Sequence, residues 1–374
     1  MRVCSRQIVW SIRSHQAHQE LPALSLYSNQ EMPLPVTKVA ACHIAPVWLD
    51  SKATISKAIE WIHEAHAKGA QLVCFPETFV PCYPCWTQLK APVDNHHLFQ
   101  KLCEEALYVD GSEIMAIQQV CADLGVVVCL GFNEKSRVSV GCLWNSYVVI
   151  SDEGSIMAHH RKIMPTFCEK LVWSHGDGNG LNVSDTKIGK IGALICGENT
   201  NPLAKYALIG QGEQIHISMW PSFFITRRPG SEGANYDLDH ANRIRAGCQA
   251  FEAKTFTVVC ANFFDEAAKQ FCKKDDPANA EIYDNVAQCS TMFMDPTGAQ
   301  IGDALKDQEG IAYCTFDLNK CVEVKQFQDV AGYYQRYDIF KFSVDRTPAV
   351  PVRFLEDPST KIEYPTPAKK EVSS

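Results

Sequence analysis

Three polar residues stand at the ends of short strand-like runs, and together they could perform nucleophilic chemistry. Cys196 ends the run Ile191-Gly192-Ala193-Leu194-Ile195. A helix opening near Pro202 would place this thiol near the positive end of a helix dipole, which lowers a thiol pKa and favours the nucleophilic thiolate. Glu77 follows Gln71-Leu72-Val73-Cys74-Phe75-Pro76. A carboxylate behind a buried strand is partly desolvated, so its pKa rises toward neutrality and suits it to act as a base. Lys162 closes His160-Arg161-Lys162, and its ammonium could hold developing negative charge. Each residue also has a plainer reading: a solvated loop carboxylate, a solvated basic turn and a buried structural thiol. What sets the three apart is that their chemistry is complementary.

Such residues need strand ends to position them, because functional side chains in α/β sheets collect beyond the carboxyl ends of strands. The pattern predicts strands at 36–44, 71–75, 126–132, 143–150, 155–160, 187–196, 214–219, 255–261, 291–294 and 311–316. Asp295-Pro296-Thr297-Gly298 reads as the turn between the last two. Helices are predicted at 51–68, 95–108, 112–124, 202–211 and 239–253. Ile55, Ile59, Ile62 and His66 share a face of the first helix, with Gly69 as its stop. Asn199, Thr200 and Asn201 are candidate caps ahead of Pro202. The alternation is that of an α/β protein with sheet covered by helices.

The chain has 374 residues, 46% of them apolar and 21% charged, enough for a large core. A formal net charge of -8 argues against nucleic acid as a partner, since phosphate binding needs a basic face. No apolar run is long enough for a membrane span. The 17 cysteines are odd in number and scattered, which fits free thiols in a reducing compartment and a cytoplasmic location. Residues 1–35 are set apart: Arg2, Arg6 and Arg13 precede the first acid, Glu20. This reads as an extension, a mitochondrial presequence or an early start ahead of Met32. Residues 36–320 read as one domain that carries the three residues, and 321–374 as a tail that wraps the domain or a neighbouring subunit.

Several motifs are set aside. Cys82-Tyr83-Pro84-Cys85 lacks a second pair at zinc spacing. Gly176-Asp177-Gly178-Asn179-Gly180 reads as a flexible surface loop, and His159-His160 and Arg227-Arg228 as solvated pairs. Tyr83, Trp86 and Trp220 could line an aromatic-accepting pocket or belong to the core.

Three local sequences then show a resemblance. Phe75-Pro76-Glu77-Thr78-Phe79 is followed by His160-Arg161-Lys162-Ile163-Met164-Pro165-Thr166-Phe167, which leads to Glu169 and Leu171-Val172-Trp173. The third is Gly192-Ala193-Leu194-Ile195-Cys196-Gly197-Glu198-Asn199, with Pro202-Leu203-Ala204 behind it. In this order they resemble the nitrilase superfamily, and within it the nitrilase branch, over about residues 38–340. The resemblance implies an αββα sandwich, no cofactor or metal, a homo-oligomer from dimer to spiral filament, and a Glu–Lys–Cys triad on Glu77, Lys162 and Cys196. It implies a supporting carboxylate at Glu169 and a small-molecule nitrile as substrate. Cyanide hydratase and amidase share the triad, and a non-catalytic assembly protein is the alternative of another class. Two departures stand out. Gly197 replaces the Trp that many nitrilases carry after the cysteine, and Tyr333 and Tyr337 stand where many members have His and Pro.

Overall fold

The computed structural model describes residues 32–228, 230–233 and 237–352; residues 1–31, with the basic extension, lie outside them. The chain divides into Met1–Leu34 and Pro35–Ser374, and every described helix and strand lies in the second unit. In chain order these elements begin with β1 (Val36–His43), α1 (Ser51–Ala67), β2 (Leu72–Cys74), α2 (His96–Glu105), α3 (Ser112–Leu124), β3 (Val127–Lys135), β4 (Leu143–Ile150) and β5 (Ile156–Arg161). Next come β6 (Ser184–Thr186), β7 (Gly189–Ile195), α4 (Pro202–Ile209), β8 (Ile215–Trp220), α5 (Leu238–Ala253), β9 (Phe256–Ala261) and α6 (Glu266–Asp275). The remainder is α7 (Ala280–Asp284), β10 (Thr291–Met294), β11 (Gln300–Leu305), β12 (Gly310–Asp317) and α8 (Lys320–Lys325).

The strands form two six-stranded sheets, ordered β12-β1-β2-β3-β4-β5 and β11-β10-β9-β8-β7-β6. Ile55, Ala58 and Ile62 of α1 and Ile114 and Ile117 of α3 pack on Val73, Val128 and Val148 of the first sheet. Ala204, Ala207 and Leu208 of α4 pack on Leu194 of the second. Contacts between the sheets include Tyr147 Oη donating to Ala193 O at 2.9 Å and Cys260 Sγ to Cys74 O at 3.3 Å. The layers therefore run α, β, β, α, as the resemblance implied.

The helix ends follow the sequence chemistry. Asp50 caps α1 through Ala53 N, Asn201 caps α4 through Leu203 N, and Gly125 closes α3 in the left-handed conformation. The helix predicted at 95–108 stops at Glu105. Leu107 there turns extended and pairs with β3, its N donating to Asn133 O at 2.9 Å. The expected turn at 295–298 joins β10 to β11, not to β12, which lies in the other sheet as the antiparallel neighbour of β1. β11 escapes the sequence pattern because it is an edge strand with Gln300, Gly302, Asp303 and Ala304 exposed.

The polar glycine run is also packed rather than a free surface loop. A Cβ on Gly176 would lie 2.0 Å from Arg161 O, and one on Gly180 would lie 2.6 Å from His160 Cα. Gly176 N donates to Lys162 O at 2.8 Å, so this segment braces the end of β5. Beyond α8 the chain crosses the same region: Ala349 N donates to Asp177 Oδ2 at 2.7 Å, and the Phe342 ring meets Tyr206 edge-on.

Candidate active site

Glu77 leaves the end of β2 on a tight turn. Thr78 beside it has φ 43°, and a Cβ on Gly131 of β3 would lie 2.1 Å from Pro76 O. Val80 N donates to Gly131 O at 3.3 Å and Asn133 N to Val80 O at 2.7 Å, so this segment is stitched to β3. Lys162 follows β5, with its backbone N bonded to Asn145 O of β4 at 2.8 Å. Cys196 follows β7 with φ 51°, in the left-handed region that side chains disfavour. Asn199 Nδ2 donates to Leu194 O at 3.1 Å and Cys196 O at 3.0 Å, holding that strained corner.

These three strand ends converge. Lys162 Nζ donates to Glu77 Oε1 at 2.9 Å and to Glu169 Oε2 at 2.7 Å. The Cys196 sulfur and one oxygen from each carboxylate lie within 4.8 Å of one another. Glu77, Lys162 and Glu169 are wholly buried, and Cys196 is 3% exposed. This set of donors could in principle hold a cation, but the Lys162 ammonium already supplies the positive charge between the two carboxylates.

The electrostatics depart from one expectation. The helix dipole does not dominate Cys196. Burial, followed by Glu77, raises its thiol well above the usual value, against an opposing pull from Lys162. The residues 196–200 form a single 3-10 turn before α4 begins, so the thiol lies a turn away from that helix. Burial likewise pushes Glu77 up to about 7, despite the Lys162 ammonium and the Lys162 and Asn145 hydrogen bonds. Lys162 runs the other way: burial disfavours its charge, but Cys196 once ionised, Glu169 and Glu77 outweigh this and raise it well above its ordinary value. The resting arrangement is a neutral thiol, a firmly charged ammonium and a carboxyl group poised near neutrality.

Further groups belong to the site, among them Asn145 and Asn262, to which sequence reasoning gave no role. Asn145 Nδ2 donates to Glu77 Oε1 at 2.6 Å, and Asn262 Nδ2 to the Glu77 carbonyl at 2.6 Å. Tyr83 Oη donates to Glu169 Oε1 at 3.0 Å, while Thr166 N donates to Glu169 Oε2 at 2.7 Å. A lone Asn in the apolar strand β4 was the available signal for Asn145. Trp86 and Trp220 are buried, with Trp220 Nε1 bonded to Ser218 Oγ at 2.7 Å. The pair His159-His160 is engaged by carboxylates, with His159 half-buried and His160 buried. His159 bonds Glu134 at 2.8 Å, and the buried His160 bonds Glu198 at 3.0 Å. Arg228 donates to Asn279 Oδ1 at 2.6 Å and Leu89 O at 3.0 Å. Cys85 lies 3.7 Å, sulfur to sulfur, from Cys272 of α6.

Comparison with known proteins identifies the family. The family model for carbon-nitrogen hydrolases matches residues 38–326. A nitrilase of Penicillium rubens is 33% identical over 326 residues, covering 86% of this chain and 97% of that protein. A cyanide hydratase of Stereum hirsutum is 34% identical over 324 residues, covering 84% of each. Among solved structures, a carbon-nitrogen hydrolase from Helicobacter pylori superposes with a TM-score of 0.64 at 20% identity, covering 82% of this chain and 97% of that one, and supports the fold. The chain with this αββα fold is therefore a member of the carbon-nitrogen hydrolase family, an enzyme of the nitrilase superfamily that acts on carbon–nitrogen bonds.

Proposed function

We propose that this enzyme hydrolyses an organic nitrile to its carboxylic acid and ammonia, with Cys196 as nucleophile, Glu77 as proton acceptor, Lys162 as charge stabiliser and Glu169 as supporting carboxylate. The observation that carries this reading is the buried Lys162 ammonium held between Glu77 and Glu169 beside the Cys196 sulfur.

Because the resting thiol is neutral, its proton must leave as the sulfur attacks. Glu77 takes that proton; its Oε2 is buried with no hydrogen-bond partner among the described residues, while Oε1 is held by Lys162 and Asn145. Sulfur bonds to the nitrile carbon, one pair of the triple bond moves onto nitrogen, and the proton passes from Glu77 to that nitrogen. The product is a thioimidate. Glu77 then draws a proton from water as the water oxygen adds to the same carbon, and the proton goes to nitrogen. Lys162 faces the negative charge of this tetrahedral species. Loss of ammonia leaves a thioester, and a second water releases the acid and restores the thiol. Glu169, tied down by Tyr83 and Thr166, keeps Lys162 charged and aimed.

A second outcome has support of its own, because the cyanide hydratase of Stereum hirsutum is as similar to this chain as the nitrilase of Penicillium rubens. If the tetrahedral species expels sulfur instead of ammonia, the product is an amide. The deciding experiment supplies hydrogen cyanide, an aliphatic nitrile, benzonitrile and phenylacetonitrile and measures acid, amide and ammonia. Acid with ammonia from an organic nitrile is expected. Formamide from cyanide with the organic nitriles untouched replaces the nitrilase reading with the hydratase one.

We also propose that the chain works as a homo-oligomer. Exposed Leu203 on α4 and Ile244 and Phe251 on α5 support this, since large apolar side chains on neighbouring helices favour burial.

A further inference from the structure

Glu198 lies two residues beyond the nucleophile, and the triad does not use it. Its carboxylate is nearly buried and its oxygens reach both halves of the site. Oε1 accepts from Ile163 N, the residue after Lys162, at 2.7 Å. Oε2 accepts from Ile195 N, the residue before Cys196, at 2.9 Å. His160 Nε2, two residues before Lys162, lies 3.0 Å from both oxygens. Lys162 follows a strand of one sheet and Cys196 a strand of the other. One carboxylate thus ties the two strand ends together at the residues flanking the two reacting groups.

A second contact makes the same junction from the other side. A Cβ on Gly197 would lie 2.8 Å from Thr166 Oγ1. Thr166 N in turn donates to Glu169, the carboxylate that grips Lys162. The backbone of Cys196-Gly197-Glu198 is therefore docked against the 162–169 segment at two points.

We propose that Glu198 is a positioning residue that holds the Cys196 sulfur in register with Lys162 and Glu77 across the two sheets. Its action is indirect: it touches the backbone beside the reacting groups and His160, not the groups themselves. The geometry explains why a carboxylate is needed. Two N–H donors and an imidazole converge on it, and a carboxylate accepts at both oxygens, whereas an amide turns an N–H against one of the donors. Burial disfavours its charge, yet His160 and the two backbone N–H groups keep its pKa below the ordinary carboxyl value.

The proposal rests on Cys196 acting as the nucleophile beside Lys162, and its test does not depend on the nitrile. Parent, Glu198→Gln and Glu198→Asp are treated with iodoacetamide across pH 6 to 9, and carbamidomethylation of the Cys196 peptide is timed by mass spectrometry. In that reaction sulfur displaces iodide and the thiol proton passes to Glu77. Both variants are expected to alkylate about tenfold or more slowly at a given pH. The pH dependence should shift upward, because a displaced Lys162 no longer favours the ionised forms. Where nitrile turnover is measurable, kcat should fall and KM stay within about threefold. A purely structural Glu198 would lower the melting temperature and leave the Cys196 rate and its pH profile at parental values; that result overturns the proposal. If both variants fail to fold, Glu198 is a folding residue and the proposal falls as well. An inert Cys196 in the folded parent is a different failure, because it removes the nucleophile and with it the proposed mechanism.

Discussion

The most demanding feature at residue scale is a thiol that burial keeps protonated, so in the proposed mechanism the nucleophile forms only when Glu77 is free to accept the proton. Glu77 is raised to about 7, so its basic form gains population as pH rises through neutrality. Turnover is therefore expected to fall on the acid side of a limb centred near pH 7, measured as kcat/KM against pH. Glu77→Gln should cost about a hundredfold or more in rate and remove that limb. Cys196→Ala should abolish turnover, by about a thousandfold or more, while melting within a degree or two of the parent. Nitrile hydrolysis surviving in that variant would sink the assignment of the nucleophile. These residues were legible because each ends a recognisable strand-like run. The burial of Lys162 was not, since a lysine in a basic turn ordinarily faces water. Its two partners stand 85 residues before it and 7 after it. Nor did the sequence show that burial would outweigh the helix dipole at Cys196, because desolvation depends on what the first sheet brings over the thiol.

Elements position these residues through packed loops as much as through strands. The segment 174–181 is the clearest case. It reads as a polar glycine loop, yet it is pressed against β5 so closely that Gly176 leaves no room for a methyl group. Gly176→Ala would place that methyl 2.0 Å from a backbone oxygen that cannot rotate away. The expected cost is about 2 to 3 kcal/mol by chemical denaturation. Activity should fall too, because Gly176 N bonds Lys162 O. Glu134 of β3 makes a second test. Despite burial, hydrogen bonds from His159 and Arg161 of β5 hold its pKa at about 2. The folded value lies below the unfolded one, so this stabilisation is present above about pH 4.5 and lost as pH falls toward 2. Glu134→Ala should destabilise the fold by about 2 kcal/mol at pH 7, since the partly exposed Arg161 can turn to water. Periodicity and caps made most elements readable. β11 and α6 were not, because their residues are largely polar or exposed and give no apolar rhythm.

At the scale of the whole molecule, the apolar side chains left outside the core lead to a third kind of test. Phe251 is 45% exposed and Ile244 is 58% exposed, both on α5. Light scattering on a sizing column should give a mass above that of one chain. Phe251→Glu combined with Ile244→Glu should lower that mass; a parent already monomeric would remove the oligomer proposal.

The two-sheet layout also sets an order of events during synthesis. Glu77 and Lys162 belong to the first sheet and Cys196 to the second, and β1 gains its outer neighbour only from β12, Gly310–Asp317. A growing chain that has made Cys196 still lacks β8 to β12, so the sheet that carries this thiol is not yet complete beside Glu77 and Lys162. The first strand waits for the last, and the sheet edge it offers meanwhile is an invitation to mispairing. Assembly is thereby tied to completion: some 317 residues must be in place before both sheets that carry the three residues have all their strands.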